Sequence, residues 1–489
     1  MQTPDLYGVS TGPDRQGRAM ASRKDQLQSY QFLVQRFVSA LIMRETDPAQ
    51  VPFRRLAGAA FASIMVAVLA LAGVGIYGLF RPGGDTSWQN GQAIVVEKET
   101  GTKFVVLDGT LHPVANYVSA VLIQGNTQTN SVSRQSLVGY PRGARLGIAD
   151  APDSLPAVDQ MLGSPWSLCM QLQKDKAGAD VPAGVLGVGV APVGGHPLAR
   201  KAVVAKERGS GDFWLITNDH RYPITKSAVV LNALGMGQQT PLPVTRAWLG
   251  AIPAGGGIGP LGLADIGNSS NARPDARIGQ IFVAKPSNNA APTFYVATAD
   301  DLQSITSLQA DIQLADDATR AAYRNGAPTA LEIPVSDAPA PKPVDSGDDA
   351  PPATAPAAET DLSPRSATCA TFSSADETPT IVVGSEPLKS SATSAVPAST
   401  DGEALADRID VEPGRAALVR ALSSPTASDG TSYLVTDDGR AHPLAGTEVA
   451  ATLGYGGVRP VDLPSSLVAR LPVGSALDPK AATKQVPSN

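Results

Sequence analysis

The pattern of apolar and polar positions divides the chain early. Residues 56–80 (LAGAAFASIMVAVLALAGVGIYGLF) carry no charge. At about 1.5 Å rise per residue, such a run crosses a hydrocarbon core about 30 Å thick. A cleaved signal peptide fits poorly: the run is long, 55 residues precede it, and no A-x-A site follows before Arg81-Pro82. The core helix of a soluble protein is rarely apolar all round over this length. Upstream, 22–44 (SRKDQLQSYQFLVQRFVSALIMR) shows a different period. Leu27, Tyr30, Val34, Phe37 and Leu41 step by 3, 4, 3 and 4, which lines one face of a helix. Ser22 is its expected N-cap, with Asp25 three residues on, and Asp47-Pro48 and Pro52 end it. With no domain of its own to pack on, this stripe is expected to meet a partner protein; a membrane surface is the alternative. Residues 1–20, with Gly8, Gly12, Pro13 and Gly17, are expected to be disordered.

Beyond the apolar run the pattern repeats four times. The segments are 104–125 (FVVLDGTLHPVANYVSAVLIQG), 213–235 (FWLITNDHRYPITKSAVVLNALG), 294–314 (FYVATADDLQSITSLQADIQL) and 433–454 (YLVTDDGRAHPLAGTEVAATLG). Each opens on an aromatic residue and a short β-favouring run, then a turn: Asp108-Gly109, Asn218-Asp219, Asp300-Asp301 or Asp438-Gly439. Pro113, Pro223 and Pro443 lead a second short stretch in three of them, where the third has Ser304-Ile305. An amphipathic helix comes last. Another strand-like run precedes each: 93–97, 202–205, 278–284 and 416–421. The predicted unit is strand, turn, strand, turn, helix, too small to bury a core alone. The stretches after the first, second and fourth repeats, 147–156, 249–263 and 461–479, also resemble one another and read as parts of a shared central domain. The tracts 336–360 and 386–402, rich in Ala, Pro, Ser and Asp, read as flexible tracts or loops.

Charge orients this layout. Residues 1–55 hold eight Lys or Arg against five acids, so they carry +3, which leaves −9 for the rest of a chain whose net charge is −6. Arg54-Arg55 abut the apolar run, whereas Asp85, Glu97 and Glu99 follow it. The positive-inside rule places the N-terminus in the cytoplasm and the large C-terminal region outside. An acidic exported region argues against nucleic acid as a partner.

Candidate chemistry is sparse. Cys169 and Cys369 both fall on the exported, oxidising side, so a disulfide is the natural pairing, with two free thiols as the alternative. Two cysteines so far apart have no metal-ligand spacing. His112, His220 and His442 occupy the same turn of successive repeats, which points to repeat architecture rather than a catalytic centre. The string 257–262 (GIGPLG) matches G-x-G-x-x-G, but Pro260 interrupts it and no strand leads into it. No catalytic, cofactor-binding or metal residue is singled out.

The order of these features resembles the EccB family of actinobacterial type VII (ESX) secretion systems. The resemblance rests on Gln26, Tyr30, Phe32, Arg36 and Ala40-Leu41 in the N-terminal helix. It rests also on Arg54-Arg55 before a single span, on the four repeats around a central domain, and on one cysteine pair. It implies a structural subunit of the secretion complex in the cytoplasmic (inner) membrane. The implied partners are an EccC-type motor ATPase, EccD and EccE, with self-association of the exported region. The fold class expected is α+β: one transmembrane helix, then an elongated exported region of four small α+β repeats around a largely β central domain. The expected segments are 1–55 and 56–80, then repeats at 88–135, 198–245, 276–330 and 405–457. Central parts are expected at 140–195, 246–275, 336–402 (around Cys369) and 458–489. Two other readings stand beside the scaffold: an ATP-hydrolysing subunit, since family members carry that description, and a cell-envelope-binding module, for which Trp88, Trp166, Trp214 and Trp248 are the few aromatic platforms.

Overall fold

The computed structural model describes residues 23–43, 53–80 and 86–486, except 176, 289, 325, 343–346, 348, 390–392 and 395–401. The stretch 1–20, the Ser22 cap and the stops at Asp47-Pro48 and Pro52 lie outside the described residues. The chain forms two compact units, Met1–Gly84 and Asp85–Asn489. The first consists of two helices among its described residues, Arg23–Met43 and Phe53–Phe80.

The second unit is built from four copies of one module and a central sheet. In the first module, Ile94–Glu97 pairs antiparallel with Lys103–Leu107, which pairs antiparallel with Thr110–Pro113. Asp108 (φ 48°) and Gly109 (φ 71°) make the hairpin turn, the two-residue geometry with both central residues left-handed. Helix Tyr117–Gln124 follows. Asn116 caps it through Ser119 N–H (2.9 Å), and Gly125 at φ 72° ends it. The chain then adds Thr129–Val132, parallel to the first strand. All four modules have this strand order, third-second-first-fourth.

The fourth strand is absent from the sequence reading, and the reason is plain. Thr129–Val132, Leu242–Val244, Leu331–Ile333 and Val461–Pro464 are three or four residues long and hold Asn, Pro, Glu or Asp. Nothing in so short a run has a readable period. At an edge, one face of the strand makes no ladder bonds, so Pro243 and Pro464 are tolerated.

The resembling stretches after the second and fourth repeats add Leu249, Ile252, Leu467 and Leu471 to a core with Trp166 and Leu168, and they also cover module edges. Residues 142–146, just before the first stretch, and parts of the second and fourth run along the open edge of their own modules, parallel to the third strand: Val114 opposite Leu146, Ile224 opposite Ile258, Leu444 opposite Leu477. The carbonyls of Pro113, Pro223 and Pro443 accept from the N–H of Leu146, Ile258 and Leu477 at 2.9, 2.8 and 2.8 Å. These edge straps cover the same edge in each of the three modules.

Strap and strand also correct the expected alignment. His112, Tyr222 and His442 each precede the module proline, and each ring lies against a strap glycine: Gly143, Gly255 or Gly474. A Cβ at any of these would collide with the ring. His112 Nδ1–H donates to Ala144 C=O (2.9 Å) and His442 Nδ1–H to Ser475 C=O (3.1 Å). In the third module Ser304 takes this place, its hydroxyl donating to Lys342 C=O at 2.9 Å. The second-module counterpart of His112 and His442 is therefore Tyr222, not His220. These residues sit on the third strand rather than in a turn. Pairing of Pro223 with Trp214 likewise makes Trp214, not Phe213, the counterpart of Phe104. Register, not the first aromatic met along the chain, decides equivalence.

The central sheet has seven strands. Its middle is Trp166–Lys174 flanked by Asp180–Gly187 and Ala367–Phe372, all antiparallel. Trp166, Leu168 and Met170 face a core shared with the second module (Val203, Ile216) and the fourth (Val419, Val435). Trp248, fully buried, donates its indole N–H to Leu168 C=O at 3.0 Å. Modules 1 and 4 share a second core, and modules 2 and 3 a third.

Candidate assembly surfaces

The expected site residues fall in different compact units. Leu27, Tyr30, Val34, Phe37 and Leu41 line one side of Arg23–Met43, and all are exposed, from 43% for Val34 to 70% for Tyr30 and Leu41. Phe32 and Leu33 are exposed as well. At about 100° per residue Phe32 projects from the far side, so apolar groups occupy more of the circumference than one stripe. Each large apolar side chain left in water forgoes about 1.5–3 kcal/mol of burial, which favours covering this helix. In the second helix, residues 57–77 form a 21-residue stretch apolar and long enough to cross a membrane, with none of it buried. It rises about 31 Å.

Cys169 and Cys369 lie directly opposite each other on neighbouring antiparallel strands, and their sulfurs are bonded. Successive strand residues point to opposite faces. Leu168 and Met170 therefore join the large core, while Cys169 packs with Val185, Ala367, Cys369 and Leu388 on the other face. The bridge joins segments 200 residues apart, one following the first module and one lying between the third and fourth.

The tract 336–360, expected to be a flexible tract or a loop, lies extended and hydrogen-bonded over 349–360. Leu308 N–H donates to Ala353 C=O (3.1 Å) and Gly256 N–H to Asp349 C=O (2.8 Å), while Ala358 pairs beside Ala202. Proline-rich chain needs no partner for its missing N–H groups, so it can lie extended over two modules. Glu359 anchors its end. This carboxylate is almost fully buried and accepts from His196 Nε2 (2.9 Å), Lys201 Nζ (3.1 Å) and the N–H groups of Thr360 and Asp361 (2.8 and 2.9 Å). The His196 hydrogen bond, then those of the backbone and Lys201, outweigh burial and hold the carboxyl down to about 2. The sequence reading missed this cluster, because its members are separated by up to 163 residues and form no motif.

Two further expected features are accounted for by packing. The 257–262 string belongs to the second strap: Ile258 pairs with Ile224, and a Cβ on Gly259 would strike the Thr225 hydroxyl. Trp88, Trp166 and Trp248 are completely buried. Among the described residues no three His, Cys, Asp or Glu side chains gather as a metal site.

The described residues thus hold one membrane-length apolar helix, four modules of one fold and a disulfide-closed central sheet. The sequence profile described as "Type VII secretion system ESX-1, transport TM domain B" matches residues 19–487. The chain belongs to the EccB family of type VII secretion systems. Among its relatives is the "ESX-3 secretion system ATPase EccB3" of Mycolicibacterium smegmatis, 28% identical over 313 residues, covering 62% of this chain and 59% of that protein. The "ESX-1 secretion system ATPase EccB1" of Mycobacterium tuberculosis is 28% identical over 304 residues, covering 59% of this chain and 60% of the relative. The matched stretches thus span about three fifths of these relatives' length. The same fold occurs in a chain of an intact ESX-5 inner membrane complex, with TM-score 0.59, 23% identity and 97% of both chains covered. It occurs also in an EccB3 dimer from the ESX-3 core complex, with TM-score 0.57 and 24% identity, covering 80% of this chain and all of that one. As an EccB-family member the chain is a type VII secretion membrane component of mixed α+β fold.

Proposed function

We propose that this chain is a scaffold subunit of an ESX inner membrane complex, single-pass, with its N-terminus cytoplasmic and Asp85–Asn489 on the periplasmic side. The observation that carries the reading is the apolar face of Arg23–Met43, left uncovered beside a membrane-length helix. In this reading Leu27, Tyr30, Val34, Phe37 and Leu41 contact an EccC-type motor ATPase, with EccD and EccE in the same assembly. The exported unit associates with further copies of itself. Support comes from family membership and from the folds seen in the ESX-5 complex and the EccB3 dimer. Arg54-Arg55 ahead of the span support the orientation.

Purification of the tagged full chain in mild detergent from its own membranes tests this. The expected result is co-purification of an EccC-type ATPase, lost with Tyr30→Asp and Phe37→Asp together. A monodisperse monomer from native membranes would overturn the reading. The cell-envelope alternative has lost most of its sugar platforms, since only Trp214 of the four tryptophans is not fully buried.

A further inference from the structure

A polar cleft of about 690 Å³ opens beside the second module, far in sequence from the disulfide and from the helix face. That volume suits a small organic ligand. Three guanidinium groups reach it from three parts of the chain. Arg221 comes from strand His220–Ile224 and Arg246 from helix Arg246–Ala251, while Arg470 follows helix Ser465–Val468.

The three are held differently. Arg470 is buried and each of its three nitrogens is engaged: it donates to Ser466 C=O (2.9 Å), Ala404 C=O (2.8 Å) and the Glu403 carboxylate (2.8 Å). It lies against Gly250, where a Cβ would come within 3.1 Å of its Nη1. Arg221 lies over the Trp214 ring, 5.0 Å from its centroid, and donates only Nε–H, to Ile252 C=O at 3.0 Å. Its Nη–H groups have no acceptor among the described residues. Burial, and then the charge of Arg470, destabilise the Arg221 cation, with Glu207 opposing. Arg246 is exposed, and its guanidinium makes no hydrogen bond or ion pair to any described residue. At the rim, Arg208 is tied to Pro182 C=O. Glu207, Asp212 and Glu403 offset three of these four charges and leave one in excess.

We propose that this cleft binds the phosphate group of a small ligand, with Arg221 and Arg246 as the donors that contact it and Arg470 as the fixed charge behind them. A guanidinium fork matches two oxygens of an oxyanion at once, which a lone ammonium cannot do. Stacking on Trp214 holds the Arg221 fork in place before the ligand arrives. The inference goes beyond the scaffold role and does not depend on it. Free phosphate and a phosphate ester share this chemistry, and the test separates them.

The test is calorimetric titration of the full chain in detergent, in phosphate-free buffer, with inorganic phosphate, glycerol 3-phosphate and acetate at equal ionic strength. The expected result is saturable binding of phosphate at one site per chain, weakened about tenfold by Arg246→Ala and by Arg221→Lys. Arg246 is exposed, so Arg246→Ala should keep the unliganded unfolding midpoint and show that the loss is not misfolding. Tighter binding of glycerol 3-phosphate than of phosphate identifies an ester as the ligand; the reverse identifies free phosphate. Absence of saturable binding, equal binding of acetate, or phosphate affinity unchanged in Arg246→Ala would overturn the proposal.

Discussion

Modules 1 and 4 are joined in a different way from modules 2 and 3, although all four are the same fold. Between 1 and 4 the join is mainly apolar, with a charged tie at its edge, where Asp150 accepts from Ser475 N–H (2.9 Å) and lies 3.9 Å from Arg440. Val118, Val121 and Leu122 of the first module and Leu434, Val449, Leu453 and Tyr455 of the fourth belong to one continuous core. The chain end closes it, with Leu477 and Ala482 in the same core. Between 2 and 3 the apolar contact is smaller, with Leu308 and Ile312 of the third module meeting Val230 and Leu234 of the second. Polar ties add to it: Lys226 to Asp316 at 2.9 Å, and Leu261 N–H to the Gln313 side chain at 2.9 Å. The strap 349–360 then crosses both, locked by Glu359. Apolar burial neither titrates nor is screened by salt, whereas charged ties weaken as a partner is neutralised or as salt screens it. The two pairs should therefore respond differently to the same perturbation.

The largest effect should come from the element between them. Cys169→Ser with Cys369→Ser opens a loop of 200 residues, and the chain-entropy model assigns such a closure about 5 kcal/mol. The central sheet packs on modules 2 and 4 alike, so hydrogen exchange should show both pairs losing protection together. Loosening of only one pair would mean that the sheet is not their common link.

Tyr455→Ala tests the apolar pair. Tyr455 is 2% exposed and its hydroxyl donates to Pro156 C=O at 2.8 Å. The cost should be about 4 kcal/mol in denaturant unfolding, with exchange rising in modules 1 and 4 first. Tyr455→Phe should cost only about 1 kcal/mol, because it removes the hydrogen bond and keeps the ring. A comparable response in modules 2 and 3 would erase the distinction.

Glu359→Gln tests the strapped pair and should cost about 2 kcal/mol. The folded carboxyl titrates near 2, below its ordinary 4.5, so its contribution is complete above about pH 4.5 and fades as pH falls toward 2. Acid should thus loosen the strap in the natural chain and do little more in the variant. Exchange at 349–361 measured between pH 6 and pH 3 reads this directly; a flat profile in the natural chain would remove the polar tie from the account.

Much of this molecule is written locally. An uncharged 25-residue run can only be stable where water is absent, and the 3-4-3-4 stripe reports one uncovered helix face. The repeat was legible because three of the hairpins turn on left-handed residues: Asp108-Gly109, Asn218-Asp219 (φ 48° and 60°) and Gly439. Other features carry no local signal. The fourth strands are too short and polar to show a period. Glycines 143, 255 and 474 have meaning only once a ring lies beneath them. The equivalence of Tyr222 with His112 and His442 follows from register, which a list of histidines does not contain.

By itself, then, the sequence determined the membrane-length helix, the exposed stripe before it, the fourfold module and the cysteine pair, because each depends on residues a few positions apart or on residue type and compartment. Tertiary structure alone decided that module 1 pairs with module 4 and module 2 with module 3. It also decided that a proline-rich tract becomes a strap, and that Glu359, His196 and Lys201 meet. Those outcomes depend on complementary surfaces and buried charge brought together from distant parts of the chain, and no local period encodes which surface finds which.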